Sequence, residues 1–410
     1  MGDRFDVVIA GAGPAGAQCA RDLAARDYDV LVLETEGESE FPKQSNKSTA
    51  GTFPSMMTAF NVPDEVVQHF TDAVVLESPN ESFPQEQAGA VLDFAAFKRW
   101  LVAEGRDRGA TYRFDARVSK PEMEGEEIVG VRYNGDEVVY GDVIVDATGP
   151  SAPIARALGV SDLERDHQAI GIEYEYENVA VEHPDMPTVR DAMMLRLDHD
   201  LAPGGYSWIF HTGGDTAKVG LCFIQNESYR LHSTADRTID GYLDYWMETD
   251  PRLADATRIE GTQSHRGSAH IQPPGEMSTD NFMAIGDTVP TIDPLWGEGI
   301  HKCMKSGRMA AITADACLSP TNPDTSAEAM ATYDSLWHER VAPKAEARLL
   351  MTRLMYLASN DRYDRLMADM QATPVEDLAA INAGNRRKFY KLLHLSDLPL
   401  LARFARIHLF

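Results

Sequence analysis

Three glycines near the start of the chain have the spacing of a phosphate-binding turn. Gly11, Gly13 and Gly16 form the pattern Gly-x-Gly-x-x-Gly. The first glycine permits a tight turn, the second lets a pyrophosphate approach the backbone, and the third lets a helix pack close to a strand. Glu34 follows 18 residues after the last glycine, where a carboxylate can accept hydrogen bonds from both ribose hydroxyls. Together these residues indicate that the chain binds a dinucleotide.

The segments around the glycines have the order that such a site requires. Residues 5–10 predict a buried parallel strand, residues 17–26 an alanine-rich helix, and residues 29–33 a second strand that ends at Glu34. The helix N-terminus would offer unpaired N–H groups and the positive end of its dipole to the phosphates. A glycine-rich turn in an unrelated α/β domain is the alternative. This start of the chain leaves NAD and FAD both open.

A segment far along the chain favours FAD. Residues 281–286 predict a strand that ends at Asp287, and a helix is predicted from near Gly299 to about Leu318. Asp287 could bind a ribityl hydroxyl or a group on the phosphate side, although a capping or turn role is the alternative. The PLWGEG sequence before the helix would place a helix N-terminus at the anionic end of a flavin, where it stabilises the reduced ring.

Residues 143–149 predict a further buried strand and a small-residue turn that can return beside the dinucleotide. The predicted FAD-binding residues are Gly11, Gly13, Pro14, Ala15, Gly16, Glu34, Val118, Gly149, Asp287, Pro294, Gly297, Glu298, Gly299 and Ile300.

The middle of the chain is rich in predicted strands, at 170–176, 193–197 and 218–223. In another run, alternation places three aromatic side chains on one face, where they could line a long apolar pocket; these are Tyr206, Trp208 and Phe210. A core-facing aromatic ladder is the alternative. The predicted catalytic or pocket residues are Tyr206, Trp208 and His211, and His301 is a further candidate proton source.

Acidic residues far outnumber basic ones, 64 against 38, which gives a formal net charge of −26. Such a surface repels nucleic acid, so a nucleic-acid partner is not expected. The composition suggests a protein that works at high salt, where screening removes the self-repulsion; an ordinary acidic enzyme is the alternative. The four scattered cysteines form no Cys-x-x-Cys pair, so no metal site or disulfide framework is predicted. Without a signal sequence or a long apolar run, a cytoplasmic location is expected, possibly peripheral on the inner membrane face.

Taken in order, GAGPAG at 11–16, DATG at 146–149, PGGYSWIF at 203–210 and GDTVPTIDPLWGEGI at 286–300 resemble the geranylgeranyl reductase family of FAD-dependent oxidoreductases. The resemblance covers about residues 1–320 and implies an α/β protein. It would have a three-layer, Rossmann-like FAD-binding domain of the p-hydroxybenzoate hydroxylase type, a mixed or antiparallel β-sheet substrate domain over the isoalloxazine ring, and a helical C-terminal tail. Family members saturate isoprenoid double bonds, and those of salt-adapted archaea act on the geranylgeranyl chains of ether lipids.

The family's substrate tunnel is bordered by residues that match Tyr206, Trp208 and Phe210, and Pro294, Gly297 and Gly299 match its flavin-facing segment. The chain also departs from the family. The segment 43–51 lacks a Cys-Gly pair, Phe94 stands where an arginine often opens the helix that touches the flavin phosphates, and His211 replaces a proline.

The predicted domains are a first part of the FAD-binding domain, a β-sheet substrate domain, a second part of the FAD-binding domain and a helical C-terminal region. Their ranges are 1–165 with an inserted substrate-cap segment near 50–90, 166–265, 266–320 and 321–410.

Residues 386–410 carry a net charge of +5 with basic residues between leucines and phenylalanines. This pattern suits the surface of an anionic membrane, although a helix packed on the protein or at a dimer contact is the alternative. An isoprenoid lipid is the predicted substrate.

No second Gly-x-Gly-x-x-Gly follows a strand, so electrons would come from transiently bound NAD(P)H or from a ferredoxin. A monooxygenase of the aromatic hydroxylase or halogenase type, acting on a small apolar substrate, remains the alternative enzyme. Halogenases of this fold carry a W-x-W-x-I-P run, which the YSWIFH sequence at 206–211 does not match. A storage flavoprotein without catalysis is a third possibility.

Overall fold

A computed structural model describes residues 3–43, 48–319, 321 and 323–408. The chain divides into two compact units, each built from three separate segments. The first unit consists of Met1–Lys43, Ala95–Glu164 and Ala269–Pro343. The second unit consists of Gln44–Phe94, Arg165–Ser268 and Lys344–Phe410.

The strands are β1 (Arg4–Ala10), β2 (Val30–Leu33), β3 (Gly51–Thr52), β4 (Val67–Glu77), β5 (Ser82–Leu92), β6 (Thr111–Arg113), β7 (Val118–Glu124), β8 (Glu127–Tyr133), β9 (Glu137–Asp146), β10 (Gln168–Glu177), β11 (Ala192–Arg196), β12 (Gly205–Gly213), β13 (Thr216–Ile224), β14 (Thr257–Arg258), β15 (His265–His270), β16 (Ser278–Thr279) and β17 (Phe282–Ala284).

The helices are α1 (Pro14–Ala24), α2 (Pro54–Phe60), α3 (Phe94–Asp107), α4 (Pro153–Ala157), α5 (Ile239–Thr249), α6 (Ile300–Cys317), α7 (Ala327–Met330), α8 (Thr332–Leu336), α9 (Ala345–Tyr356), α10 (Asn360–Ala372), α11 (Val375–Asn382), α12 (Arg386–Phe389) and α13 (Leu398–His408).

The sheet of the first unit has the order β16-β17-β9-β1-β2-β6, with β7 and β8 joined to it through β9. β1 is parallel to both β2 and β9, and β17 is parallel to β9. Residues 7–10 of β1 and all of β2 are almost fully buried, as expected for parallel strands that are covered on both faces. The predicted α/β, Rossmann-like character of this region is therefore confirmed.

Pairing of β17 with β9 brings the distant 281–287 segment into the same sheet as the N-terminal strand. The strand is shorter than predicted, because the chain turns at Gly286 into a single 3-10 turn over Gly286–Thr288. Helix α1 begins at Pro14, three residues earlier than predicted, since the fixed φ of proline suits the first turn of a helix. The predicted helix near Gly299 is confirmed as α6.

The sheet of the second unit has the order β14-β10-β13-β12-β11-β4-β5-β3, and β15 also pairs with β10. Most neighbours are antiparallel, whereas β11 and β4 are parallel, so the predicted mixed sheet is confirmed. One face packs on α5 and forms a core that includes Ile172, Met194, Ile209, Leu221 and Trp246. The segment near 50–90 supplies β3, β4 and β5 to this sheet.

An inaccessible arginine ties parts of the second unit together through two carboxylates. Arg252 makes a bidentate pair with Glu77, at 2.6 and 2.9 Å, and two further bonds to Asp250, at 3.0 and 2.8 Å. Both carboxylates are buried, and Glu77 is also 3.7 Å from a second guanidinium, that of Arg196, so arginines and not water face these charges.

The C-terminal segment is helical from α9 to α13, which confirms the predicted helical tail. Among the described residues, none of the helices combines the length and apolar character that crossing a bilayer requires. The predicted ranges of the FAD and substrate domains assign functions to parts of the chain, and they stay predictions.

Candidate functional site

The glycine-rich turn after β1 leaves no room for side chains at two of its three glycines. Gly11 has a φ of +101°, and a Cβ atom there would lie 2.5 Å from the carbonyl oxygen of Ala147. A Cβ atom at Gly16 would lie 2.1 Å from the carbonyl oxygen of Gly11. At Gly13 a Cβ atom would meet no described atom within 4 Å. The turn is thus closed on its protein side and open at Gly13, which is the shape that a pyrophosphate needs.

Helix α1 starts directly at this opening. Pro14 occupies the first turn without an N–H group, and the N–H groups of Ala15 and Gly16 have no acceptor within the helix because of its geometry. The first turn contains no acidic side chain. The free donors and the positive end of the helix dipole therefore remain available to the phosphates of a dinucleotide.

Glu34 is held at the end of β2 by two backbone donors. One carboxylate oxygen accepts a hydrogen bond from the N–H of Ala12 at 2.8 Å, and the other accepts from the N–H of Glu36 at 3.0 Å. Each oxygen keeps a second lone pair. A fixed carboxylate with free lone pairs suits the two hydroxyls of a ribose, as the sequence predicts.

A buried lysine accompanies this carboxylate and was not identified from the sequence. Lys98 of α3 lies 4.7 Å from the ring centre of Phe41 and is attracted by the charges of Glu34 and Glu36. Burial lowers the pKa of Lys98, and the two carboxylates oppose that shift. Lys98 lies one helical turn after Phe94, the position where the family often has arginine, and that spacing could have identified it.

The remaining predicted residues on this side lie in two turns. Val118 opens β7, and two residues before it the N–H of Ala116 donates to the carbonyl oxygen of Glu34 at 2.8 Å. Gly149 has a φ of +71°, and its N–H donates to the Thr288 hydroxyl at 3.1 Å. These bonds join both turns to elements that carry other predicted FAD residues.

Asp146, at the end of β9, serves the backbone instead of a ligand. Its carboxylate accepts hydrogen bonds from the N–H groups of Thr148, Ile154 and Ala155, and from the Thr148 hydroxyl. Burial raises the pKa of Asp146, and these donors oppose the shift. The DATG turn is therefore fixed by its aspartate.

The Asp287 turn lies against the start of α1. A Cβ atom at Gly286, whose φ is +60°, would come within 2.7 Å of the Ala15 side chain. Removal from water raises the pKa of Asp287 to about 6, and the Cys303 thiol 3.6 Å away opposes the shift by donating a hydrogen bond. The structure thus brings Asp287 to the glycine turn, although 270 residues separate them in sequence.

Asp293, which was not predicted as a site residue, stabilises the PLWGEG loop through hydrogen bonds and an ion pair. Asp293 accepts hydrogen bonds from the N–H groups of Leu295 and Trp296, at 3.0 and 3.1 Å. It also forms a 2.9 Å ion pair with Lys302 of α6. Gly297 adopts a φ of +66°, as the loop requires. The predicted residues Pro294 and Glu298 lie in this fastened loop.

Helix α6 begins at Ile300 with Gly299 before it. Gly299 has no side chain to cap the helix, and no acidic residue lies in the first turn. The start of this long helix therefore offers the positive end of its dipole to an anionic part of a ligand, as the start of α1 does.

The second unit presents the predicted aromatic residues on one face of its sheet, which we call the aromatic face. Tyr206, Trp208 and Phe210 pair with Cys222, Gly220 and Lys218 of β13, respectively. The core that packs on α5 uses the opposite face, through Ile209. The sheet register thus separates these rings from that core.

A buried carboxylate on the aromatic face escaped the sequence prediction. Glu173 of β10 accepts a 2.7 Å hydrogen bond from the indole N–H of Trp208 through Oε2. It is 2% exposed, and its Oε1 has no hydrogen-bond partner among the described residues. Because residues 170–176 alternate, Glu173 points to the face of the sheet opposite that of its neighbour Ile172, which lies in the core. A charged residue in a predicted buried strand was the signal that could have identified Glu173.

The end of the aromatic face at Phe210 is covered by β3 and the residues just before it. A Cβ atom at Gly51 would lie 2.4 Å from the Phe210 ring. The buried ammonium group of Lys218 donates to the carbonyl oxygens of Thr49 and Leu92, at 3.1 Å each. Residues 44–47 of the segment that lacks the family's Cys-Gly pair lie outside the described residues.

His211, the third predicted catalytic residue, is not brought together with Tyr206 and Trp208. It lies on the other face of β12, because residues one position apart on a strand point to opposite faces. Its Nδ1 accepts from the N–H of Asp191 at 2.9 Å, and its Nε2 is 3.1 Å from the carbonyl oxygen of Gly214. His301, the further candidate proton source, lies in the first unit, where its Nδ1 is 3.4 Å from Glu298.

The chain matches two protein-family models. The geranylgeranyl reductase catalytic domain matches residues 170–263, and the FAD dependent oxidoreductase family matches residues 6–200. Among solved structures, a geranylgeranyl bacteriochlorophyll reductase-like protein from Thermoplasma acidophilum aligns with a TM-score of 0.81 at 22% identity, over 96% of this chain and 99% of that one. The flavin-dependent brominase Bmp2 aligns with a TM-score of 0.71 at 19% identity, over 95% and 93%. At these identities the two structures establish the fold.

Two curated relatives align with nearly the whole chain. The chain is 65% identical to the digeranylgeranylglycerophospholipid reductase of Haloferax volcanii over 99% of both chains, in agreement with a composition adapted to salt. It is 27% identical to digeranylgeranylglycerophospholipid reductase 2 of Methanopyrus kandleri over 98% of both chains. The chain therefore belongs to the digeranylgeranylglycerophospholipid reductase family of FAD-dependent oxidoreductases.

Proposed function

We propose that this protein uses FAD to saturate carbon–carbon double bonds in the geranylgeranyl chains of a digeranylgeranylglycerophospholipid. The observation that carries the proposal is the 65% identity to a reductase of that name over 99% of both chains. The match to a geranylgeranyl reductase catalytic domain at 170–263, which includes the aromatic face, supports it independently.

The first unit supplies the groups that would hold FAD, which when bound provides a hydride donor in its reduced ring. The open turn at Gly13 and the start of α1 would hold the pyrophosphate, and Glu34 would hold the adenosine ribose. Asp287 lies against α1, where it can accept a hydrogen bond from the flavin side of the cofactor. The uncapped start of α6 favours a negative charge on the reduced ring.

The aromatic face of the second unit would bind the isoprenoid chain. An unactivated alkene offers no polar group, so Tyr206, Trp208 and Phe210 provide area and exclude water. Saturation also needs a proton on the carbon next to the one that receives hydride. Oε1 of Glu173 could hold that proton, because it has no hydrogen-bond partner among the described residues while Oε2 accepts from Trp208.

We further propose that the C-terminal segment 386–410 touches the membrane that contains the lipid. Leu392 and Phe404 are buried, so part of the segment packs on the protein. Tyr390, Leu395 and Leu398 are 55%, 87% and 60% exposed within a segment of net charge +5. Exposed apolar side chains among basic ones suit an anionic bilayer surface.

The activity is tested anaerobically with the FAD-loaded protein, chemically reduced, and digeranylgeranylglycerophospholipid in detergent or vesicles. We expect products that gain two hydrogens for each saturated bond, measured by mass spectrometry. Adding NAD(P)H or reduced ferredoxin in place of the chemical reductant identifies the donor, which we propose binds transiently. If turnover requires O₂ and inserts oxygen, the protein is instead a monooxygenase, the class that the shared fold leaves as the alternative.

The membrane contact is tested separately by sedimentation with anionic vesicles. Replacing Leu395 and Leu398 with glutamate should weaken vesicle binding while detergent-solubilised substrate is still reduced. The matched control is Val375→Glu, because Val375 is 71% exposed but lies before the basic segment. Equal vesicle binding by all three proteins would remove the tail from the membrane contact.

A further inference from the structure

Two imidazoles and one carboxylate meet in the second unit, in what we call the His–Asp–His cluster. His69 lies on β4, Asp191 lies directly before β11, and His211 lies on β12. The Nε2 of His69 is 2.7 Å from Oδ1 of Asp191, and the Nδ1 of His211 is 3.1 Å from the same oxygen. These potential ligand atoms all lie within 4.8 Å of one another.

Hydrogen bonding alone cannot satisfy every contact of His211. Its Nδ1 accepts from the N–H of Asp191, so Nδ1 carries a lone pair, and Nε2 carries the proton that is donated to Gly214. The lone pair on Nδ1 then faces the lone pairs of the Asp191 carboxylate at 3.1 Å. If Nδ1 carried the proton instead, it would face the N–H of Asp191, donor against donor. A cation bound between Nδ1 and Oδ1 would take the single Nδ1 lone pair in place of the Asp191 N–H and would remove the repulsion between nitrogen and oxygen.

The surroundings have further features of a metal site. Histidines that bind metals usually donate their second ring N–H to a carbonyl or carboxylate, as Nε2 of His211 does to Gly214. Two imidazoles with one carboxylate suit Zn²⁺ and other divalent first-row metals. Bonds of ~2.1 Å in a tetrahedral site place ligand atoms roughly 3.4 Å apart. The two nitrogen–oxygen separations of 2.7 and 3.1 Å would lengthen slightly, and ligand atoms up to 4.8 Å apart would have to approach each other.

Access to the cluster is also suitable. The side chain of His211 is buried, whereas that of Asp191 is 42% exposed, so an ion can enter from the Asp191 side and keep water as its remaining ligand. Asp191 has a φ of +48°, a conformation that aspartate and asparagine adopt more readily than most residues. The backbone conformation that positions this carboxylate therefore suits an aspartate at position 191.

We propose that His69, Asp191 and His211 bind a divalent transition-metal ion, with Zn²⁺ as the reference metal. The ion would be bound by Nε2 of His69, Oδ1 of Asp191, Nδ1 of His211 and water. It would take the lone pair that the Asp191 N–H now uses, and would join β4, β12 and the chain before β11. The site is structural, and it shares no residue with the proposed FAD site or the aromatic face.

The experiment uses the full FAD-loaded chain, stripped of metals by a chelator. Zn²⁺ is added in concentrated KCl with excess Mg²⁺, which occupies the acidic surface, and bound zinc is measured by atomic emission after gel filtration. Competition with a chromophoric chelator gives the affinity, and X-ray absorption reports imidazole ligands. The variants are Asp191→Asn and His69→Gln, and His183→Gln is the control from the connection between β10 and β11.

We expect one zinc ion per wild-type chain and at least a ~100-fold weaker affinity for Asp191→Asn and His69→Gln, with no change for His183→Gln. Zinc should raise the Tm of the wild type but not of Asp191→Asn. The FAD content and circular dichroism of this variant are measured to check that it is folded. The proposal is overturned if the wild type retains no zinc. It is equally overturned if the cluster variants bind zinc with wild-type stoichiometry and affinity.

Discussion

The two units build their candidate sites from different materials. In the first unit the site is mainly backbone, since Gly11, Gly16 and Gly286 each lie so close to a neighbour that a Cβ atom would clash. In the second unit the sites consist of side chains from separate strands, such as Glu173 with Trp208. A site made of backbone restricts residue type at fixed spacings, whereas a site made of side chains depends on how strands are paired. This contrast decides which substitutions should matter most.

The largest effect is expected from Gly16→Ala. The new Cβ atom would lie 2.1 Å from the carbonyl oxygen of Gly11, in a packed turn that cannot move far. We expect loss of the folded first unit and of FAD binding, measured by circular dichroism and flavin fluorescence. Gly13→Ala is the matched control, because its Cβ atom meets no described atom within 4 Å. It should keep the stability of the FAD-free protein but bind FAD more weakly; equal damage from both substitutions would contradict the open turn.

In the second unit, Arg252→Met should destabilise by about 3–5 kcal/mol, because it removes the guanidinium that bonds both buried carboxylates, Glu77 and Asp250. Denaturant unfolding of the FAD-free protein measures the change. The control is Arg190→Met, which removes an ion pair with Glu182 whose side chains are 48% and 62% exposed. Its cost should be much smaller, because an ion pair between exposed side chains is screened by water and contributes little. A similar cost for both variants would show that the buried network contributes no more than a surface pair.

Glu173→Gln should lower kcat by about 100-fold, which corresponds to about 2.7 kcal/mol, if Oε1 holds the proton that saturation requires. An amide can still accept the Trp208 hydrogen bond, so folding and lipid binding should be retained. Trp208→Phe is the companion variant, since it frees Oε2 without removing the carboxylate. It should change KM more than kcat. A Glu173→Gln enzyme with the wild-type kcat would exclude the carboxylate as the proton source.

The smallest effect concerns pH and the first unit without FAD. Because burial raises the pKa of Asp287 from 3.8 to about 6, the folded state holds its proton more tightly than the unfolded chain. The resulting stability is complete below about pH 3.8 and is lost as pH rises to about 6. Asp287→Asn removes this loss. Its free energy of unfolding, measured by denaturant unfolding of the FAD-free protein, should therefore gain on the order of 2 kcal/mol relative to wild type between pH 4 and pH 7. A difference between the proteins that does not vary with pH would contradict the raised pKa.

The same contrast explains how far the sequence could be interpreted. Gly11, Gly13, Gly16 and Glu34 could be proposed from the sequence because their spacing is local and the turn leaves no room for a side chain at Gly11 and Gly16. Asp287 was identifiable because it ends an apolar strand before a glycine-rich loop. The alternation of Tyr206, Trp208 and Phe210 likewise defines a face without any knowledge of neighbouring strands.

Partners across strands could not be found in this way. Glu173 and Trp208 are 35 residues apart, and His69 and Asp191 are 122 residues apart. Nothing local records a pairing that only the sheet register creates. The position of His211 directly after the aromatic run suggested that it lines the pocket. In the structure it points to the other face of β12. The carboxylate neighbours of Lys98 could not be assigned either, because Glu34 and Glu36 lie more than 60 residues away in sequence.

The order of segments in the first unit has a consequence for synthesis. Its sheet joins β1 to β9 and β9 to β17, and the Asp287 turn then lies against the first helix. A ribosome must therefore deliver more than two thirds of the chain before the dinucleotide turn meets its last neighbour. Contacts between such distant segments form slowly because a long loop must close. Until then the nascent protein carries an unfinished, apolar sheet edge. Cofactor capture should consequently be a late event, and the interval before it is when the newborn chain most needs protection from aggregation.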